Sequence, residues 1–369
     1  MKITYVVPFK VLIPSKAAHT VNIMNMCSAM TELGHDVTLI IPDSKISDGE
    51  IFSYYGLPAS FRIERVKAFS SKWAYPIYSF LVSRKIKSIN PDIVTGRSAL
   101  TCLFAAISGF DVAYDSHAPA WLLGKFQFLA YLLLKNSSRL VRMTVNSEAL
   151  KEMYIRSGYA PHCPLIAAHN GSRAFSLDDK FSDWQKREGS LQVGYAGHLY
   201  KGRGIELIIS CAKEIPEADF HIVGGTEEDI NFWKNSTNLS NLIFHGFVSP
   251  GEVYKFRNMM DVLLAPYPGT GVTTGGGKED SSKYMNPIKI IEYMSSRKAI
   301  IASDLPPIRE VLKRSMAMLV HSESSEAWIN AIQELKNPEV RKVLADNSYD
   351  FFQKNLTWKA RAEKLIPSK

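Results

Sequence analysis

Asn286-Pro287-Ile288-Lys289-Ile290-Ile291-Glu292-Tyr293-Met294 leads through Ser295-Ser296-Arg297-Lys298 into Ala299-Ile300-Ile301-Ala302-Ser303. Proline in a first helical turn, after a residue able to cap, marks a helix start. The five small or branched apolar residues that follow read as a buried strand. Helix followed by buried strand is the unit of an α/β sheet. A helix start also leaves backbone N–H groups unpaired and carries partial positive charge, so it can hold a phosphate. Glu292 comes about one and a half turns later. A carboxylate there can accept from the vicinal hydroxyls of a ribose, so one helix could grip both ends of a nucleoside diphosphate. The alternative is an amphipathic helix packed through Ile288, Ile291 and Met294 with Glu292 in solvent. Spacing alone leaves both open.

Outward from this block the same alternation continues. Leu191–Ala196, Asp219–Val223, Leu242–His245, Val262–Ala265 and Met316–Val320 are short apolar runs bounded by turn residues, with helical patterns between them. Together they predict a doubly wound domain. The first half opens on Ile3 to Pro8, a loop, a helix over about His19 to Leu33 and a strand over Asp36–Ile41, with Gly34 at the helix end. Phe61–Val66, Ile93–Thr95, Val112–Asp115, Leu140–Asn146 and Pro164–Ala168 read as further strands, and Ala74–Ile89 and Ser147–Ser157 as helices. Periodicity is lost over residues 170–190, which are polar and charged, as in an interdomain linker. The expected organisation is a first α/β domain over 1–175, a linker over 176–190, a second α/β domain over 191–350 and a closing helical segment over 351–369. The whole tail from Pro338 to Ile366 reads as helix.

The chain has 369 residues, enough for two domains with their own cores. Cys27, Cys102, Cys163 and Cys211 are far apart and form no CxxC pair, which argues against structural zinc or a disulfide framework and for a reducing compartment. Met1 leads straight into a strand-like segment without the marks of a secretory signal, and the apolar stretch Trp121 to Leu134 is too short to span a bilayer. Both point to a cytoplasmic protein. Residues 1–175 hold 19 Lys/Arg against 11 Asp/Glu, whereas the rest balances at 25 against 25. A basic half suggests an anionic partner or is simply a solvated surface. No Asp-x-Asp, Walker A loop, HExxH or GxSxG occurs, so no metal or other cofactor is expected.

The run 286–312, NPIKIIEYMSSRKAIIASDLPPIREVL, resembles the nucleotide-binding signature of glycosyltransferase family 4, retaining enzymes of the two-domain GT-B fold. The resemblance implies two Rossmann-like domains facing a central cleft, with a C-terminal helix crossing back to the first. It makes Glu292 the ribose ligand and turns the backbone of Pro287, Ile288 and Lys289 toward the donor phosphates. Val193 to Ile205, with Gly197, Lys201 and Arg203, resembles the family's Gly-Arg-x-x-x-x-Lys-Gly phosphate grip. Arg203 matches its Lys, and His198 stands where the family has Arg. Tyr114-Asp115-Ser116-His117 ends a strand where the family places a histidine that contacts the transferred sugar; the bland reading is a half-buried histidine. The loop Ile13–His19 lacks the family's two glycines, and Lys16 is its candidate contact to donor phosphate or acceptor. Tyr284 occupies the position of the family's first glutamate, and the loop 271–282 reads as a lid or a long loop. Thr357-Trp358 resembles the closing helix, with Trp358 as packing.

The implied activity is transfer of a sugar from a UDP- or GDP-linked donor to a saccharide or lipid-linked acceptor, with retained configuration. His117 and Arg203 are the candidate catalytic groups. An anionic membrane surface is a further expected partner, through Trp73, Tyr75, Tyr78 and Phe80 beside Arg84, Lys85 and Lys87. The rivals are a sugar-nucleotide epimerase on the same fold, a nicotinamide oxidoreductase and a nucleic-acid-binding protein. The second would want GxGxxG after the first strand, where Phe9 to His19 holds no glycine. The third has no recognised motif, so no nucleic-acid partner is expected.

Overall fold

The computed structural model describes residues 1–69, 74–182, 184, 186–270 and 280–367. The chain forms two compact units. Unit 1 takes Met1–Gly171, Tyr284–Asn286 and the tail from Trp358; unit 2 takes Ser172–Lys283 and Pro287–Thr357.

Unit 1 runs β1 (Lys2–Val6), α1 (Ala18–Glu32), β2 (Asp36–Pro42), α2 (Asp48–Tyr55), β3 (Arg62–Val66), α3 (Ala74–Ile89), β4 (Ile93–Gly96), α4 (Ala99–Ile107), β5 (Asp111–Ser116), α5 (Lys125–Leu134), β6 (Leu140–Val145), α6 (Glu148–Arg156) and β7 (Leu165–Ala167). Its sheet is wholly parallel, in the order β3-β2-β1-β4-β5-β6-β7. Parallel strands covered on both faces are apolar along their length, and β2, DVTLIIP, is buried from Val37 onward. Successive residues feed opposite layers. Tyr5 joins the core under α1 with Ile23, Met24 and Met30, and Val6 joins the core under α3, α4 and α5 with Tyr78, Cys102 and Tyr131.

Unit 2 runs β8 (Gln192–Ala196), α7 (Ile205–Glu214), β9 (Asp219–Val223), α8 (Glu227–Ser236), β10 (Leu242–Gly246), α9 (Val253–Met259), β11 (Val262–Ala265), α10 (Ile288–Met294), β12 (Ala299–Ser303), α11 (Pro306–Arg309), β13 (Met318–Val320), α12 (Ser325–Glu334) and α13 (Pro338–Asn355). Its parallel sheet has the order β10-β9-β8-β11-β12-β13.

Two expectations need correcting. The described residues of the expected linker, 176–190, are not a free linker but fall within unit 2. Arg187 pairs with Asp219 at 2.6 Å, and Trp184 stacks on His245 with ring centroids 3.7 Å apart. Ion pairing and stacking hold this segment where no regular periodicity does. The tail is not one helix either. It breaks at Leu356–Thr357, where the Leu356 carbonyl accepts from Ser172 N and Thr357 bridges Ser172. A final helix, α14 (Trp358–Leu365), then belongs to unit 1, and buries Trp358, Ala362 and Leu365 in the α1 core. Arg142 Nη1 caps its end through the carbonyls of Lys364 and Ile366.

Candidate functional site

In unit 2, β8 lies between β9 and β11, so the strand order reverses there and the loops after β8 and β11 diverge. Ligands of open parallel sheets bind at such reversals, beyond the carboxyl ends of the strands. The loop after β8 carries Gly197, His198, Lys201 and Arg203; the one after β11 carries Pro266 and Tyr267. They approach closely at Gly204, which has a positive φ of 79° and where a Cβ would stand 2.6 Å from the Pro266 ring.

The helix α10 is locked to β8 by Tyr293, whose hydroxyl accepts from Ala196 N at 2.9 Å. This fixes Lys289 and Glu292, three residues apart on one helix face. Lys289 Nζ lies 3.7 Å from the centre of the Tyr195 ring and 5.6 Å from that of Tyr267. It sits above Gly197, where a Cβ would come within 2.7 Å of the ammonium. Arg203 stacks its guanidinium on the Tyr200 ring at 4.6 Å. Burial, and then the Arg203 charge, hold Lys289 well below the usual lysine pKa, while Glu292 acts in the opposite sense. The structure thus brings Gly197, Arg203, Lys289 and Glu292 into one neighbourhood. Lys201 is exposed on the same loop, and Ile288 is half-buried in the first turn of α10.

The Glu292 side chain is 30% exposed and rests 3.7 Å from Nη1 of Arg257, a guanidinium only 2% exposed. Arg257 Nε donates to Ser296 Oγ at 3.0 Å, and its Nη1 has no hydrogen-bond partner. At 3.7 Å the pair is an ion pair without a hydrogen bond, so the carboxylate oxygens keep acceptor capacity for hydroxyl donors. Arg257 was not anticipated from the sequence. Its signal is a charge flanked by Phe256 and Met259 on the buried side of α9. Asn286 is not the helix cap that its position suggests. Pro287 is the N-cap, without a side-chain bond, and Asn286 instead accepts from Asn170 N at 2.6 Å and meets His169 Nδ1 through Nδ2 at 2.9 Å.

In unit 1, His117 follows the end of β5, near the reversal between β1 and β4. Gly96 marks the close approach there, since a Cβ would lie 2.5 Å from the Val6 carbonyl oxygen. The His117 Nε2 is 2.9 Å from Asp115 Oδ2. Asp115 Oδ1 accepts from Arg361 Nη2 of α14 at 2.7 Å and from Thr144 Oγ1 at 2.8 Å. Burial alone would raise the Asp115 pKa, but Arg361, His117 and Arg97 hold it well below the carboxylate range. Burial, and then Arg97, push His117 down to about 3 against the pull of Asp115. The ring is therefore neutral, donates Nε2–H to Asp115, and keeps a lone pair on Nδ1. Arg361 Nη2 also comes within 3.0 Å of Nε2. That places two donors side by side on one carboxylate. Neither Arg361 nor Arg97 was anticipated; both act through partners distant in sequence.

Lys16 is exposed between β1 and α1 and takes no part in the bonds joining Asp115, His117, Thr144 and Arg361. The expected aromatic patch on α3 does not stand as read. Tyr78 is fully buried, Tyr75 packs edge-on against Phe9 at 4.8 Å, and Lys85 pairs with Glu64 at 2.8 Å. Trp73 and residues 271–279 of the expected lid lie outside the described residues. No described helix is long and apolar enough to cross a membrane.

Residues 20–171 match the family model Glycosyltransferase Family 4, and residues 190–337 match Glycosyl transferases group 1. An uncharacterized glycosyltransferase of Methanocaldococcus jannaschii is 25% identical over 181 residues, covering 47% of this chain and 44% of its own length. The chain thus spans less than half the length of the curated relatives it matches. Among solved structures, the sucrose-phosphate synthase of Thermosynechococcus elongatus superposes with a TM-score of 0.73 at 15% identity, over 98% of this chain and 96% of that one. Anabaena HepE, solved with UDP and glucose, gives 0.68 at 14% identity, over 99% and 98%. At such identity these likenesses speak for the fold, two parallel-sheet α/β units of GT-B type. Two family models, over residues 20–171 and 190–337, show that this chain belongs to the family 4, group 1 glycosyltransferases.

Proposed function

We propose that the protein transfers a sugar from a UDP- or GDP-sugar to a saccharide or lipid-linked acceptor, with retained anomeric configuration, in the synthesis of a surface polysaccharide or glycoconjugate. The observation that carries this reading is the neighbourhood of Arg203, Lys289 and Glu292 at the carboxyl end of β8. Two cations and one half-exposed carboxylate suit the two ends of a nucleoside diphosphate. Glu292 accepts from the ribose hydroxyls, with Arg257 behind it orienting it. Arg203 and Lys289 face the diphosphate, with Lys201 at the rim, and Gly197 lets the phosphate approach the loop backbone.

Cleavage of the bond between sugar and phosphate builds positive charge on the sugar and negative charge on the leaving diphosphate. Fixed cations stabilise that departing charge, and ones already in place need no rearrangement as it forms. Here the rings of Tyr200, Tyr195 and Tyr267 fix them. No metal is required in this scheme. His117, neutral and held by Asp115, contacts the transferred sugar by a hydrogen bond to Nδ1 and does not form a covalent bond to it. The acceptor oxygen attacks from the face that the diphosphate leaves, and that diphosphate takes its proton. Anabaena HepE, crystallised with UDP and glucose, supports a uridine donor. An epimerase on this fold would need no acceptor, and family membership favours transfer.

A thermal-shift series with UDP, GDP, ADP and their glucose conjugates tests the reading. One diphosphate raises the melting temperature of the wild type, because a ligand bound only by the folded state stabilises it. The Glu292→Ala variant loses most of that shift, measured from its own ligand-free melting temperature, which falls because buried Arg257 loses its ion-pair partner. Equal shifts in both proteins would remove Glu292 from the site.

A further inference from the structure

We propose that α5 and the turn before it seat the protein on a bilayer containing anionic lipid, lying in the interface rather than crossing it. This concerns the acceptor side of the proposed reaction but stands on separate observations. The short helical turn Ala120–Leu122 and α5 present Leu122, Leu123, Phe126, Leu129 and Leu133 to the outside. Phe126, Leu129 and Leu133 fall at i, i+3 and i+7 on a single stripe, and each is more than half exposed. The opposite side of α5 is fully engaged, with Ala130, Tyr131 and Leu134 in the core and Gln127 bonded to Leu100 N and Ser98 Oγ. The helix is therefore fixed, and its outer stripe cannot turn inward. Isolated exposed apolar residues are ordinary, but a contiguous stripe of this size marks an interaction surface.

The charge pattern selects the occupant. No Asp or Glu occurs in α3, α4 or α5, nor anywhere between Asp115 and Glu148. The three helices lie side by side. Ser79 of α3 bonds Thr101 of α4 at 3.1 Å, and Gln127 of α5 bonds the start of α4. On α3 the exposed residues Ile77, Phe80, Arg84 and Lys87 again follow one stripe, apolar first and basic after. Ile107 extends the apolar surface at the end of α4, and Lys125 is exposed at the start of α5. Leucine and phenylalanine set among cations, without a single helical carboxylate, suit acyl chains below and phosphate headgroups above. A second copy of this chain would bring the same positive face against itself, which opposes self-association.

Co-sedimentation of the full chain with vesicles of phosphatidylcholine, alone or mixed with phosphatidylglycerol, tests the proposal. The protein should pellet with the anionic vesicles at low salt and more weakly as salt rises, because screening reaches about 10 Å at 0.1 M. The triple substitution F126Q/L129Q/L133Q should weaken partition at least about tenfold at every salt concentration. Lys125→Glu should lower binding mainly at low salt. Melting temperature and the nucleoside-diphosphate shift of each variant, unchanged from wild type, show that the fold and donor site are intact. They also separate this result from failure of the donor reading. Equal pelleting of wild type and triple variant overturns the proposal. So does a wild type that ignores anionic vesicles, or one that is a dimer by light scattering and becomes monomeric only in the triple variant.

Discussion

The charged cluster of unit 1 and that of unit 2 contain the same chemistry, guanidinium against carboxylate, arranged to opposite effect. Asp115 is fully buried and accepts from Arg361, Thr144 and His117 at once, with Arg361 only 1% exposed. Its charge is answered from within the protein. In unit 2 the nearest answer to Glu292 is a 3.7 Å contact, and Lys289 lies against aromatic faces. Among the described residues, no carboxylate pairs with Lys289. A buried carboxylate whose oxygens are filled from within holds its partners in place, even though Arg361 keeps Nε and Nη1 without a hydrogen-bond partner. A half-solvated set of charges keeps its capacity for ions from outside. The first arrangement fits the orientation of His117; the second fits the binding of an anionic donor.

The largest effect is expected from breaking the buried Asp115 cluster. Arg361→Met leaves Asp115 buried without its strongest partner, and loss of one member of a buried pair typically costs about 3–5 kcal/mol. Chemical denaturation should register that loss, while nucleoside-diphosphate affinity of the folded protein stays near wild type. A stability change below about 1 kcal/mol would mean that Asp115 does not depend on Arg361 as a buried partner, since that is the scale of an exposed pair. Arg203→Ala should behave in the reverse way. The melting temperature stays close to wild type, and the transfer rate falls by about 100- to 1,000-fold, the typical cost of removing one preorganised group that stabilises leaving charge. A donor-saturated rate within threefold of wild type (about 0.7 kcal/mol) would show that Arg203 does not act on the leaving diphosphate.

Much of this contrast was legible in the sequence, and unevenly. Local periodicity carries strands such as Val262–Ala265 and Ala299–Ser303, because both faces of a parallel strand are buried and the run is apolar along nearly its whole length. The unit 2 cluster was legible because Gly197, Arg203, Lys289 and Glu292 lie in two short motifs at strand and helix ends. The unit 1 network was only half legible. Asp115 and His117 are two residues apart, but Arg361 reaches them across 246 positions from a helix whose register is set by Trp358 and Leu365 packing on α1. No local pattern encodes that. The docking of the described residues of 176–190 on unit 2 was hidden for the same reason: its determinants are Asp219 and His245, not neighbours in the chain. Tyr78 was misread as a surface aromatic because α3 carries aromatics on both its faces, Tyr78 inward and Phe80 outward, and only packing tells them apart.

The smallest effect is also the one that separates the two clusters most sharply, because it turns on which of them titrates. His117 is pushed down to about 3, so it stays neutral from about pH 5 upward, and Asp115 stays ionised. The His117–Asp115 pair therefore contributes no change to donor handling between about pH 5 and 9, since neither group crosses its pKa there. Lys289 differs, since burial and Arg203 lower its pKa well below the lysine value of 10.5. A lysine whose folded pKa is lowered loses its proton in the folded protein first. Stability without ligand then rises with pH between the folded value and the unfolded one. A diphosphate acts in the opposite direction. It favours the ammonium, so binding takes up a proton, and affinity falls by up to about tenfold per pH unit above the folded pKa. Calorimetric titration of the diphosphate in buffers of differing ionisation enthalpy should show proton uptake on the alkaline side. Lys289→Arg, which keeps its charge at every accessible pH, should bind with no uptake on that side. Identical uptake in both proteins would assign the titration to another group and leave Lys289 as a packing residue beside Gly197.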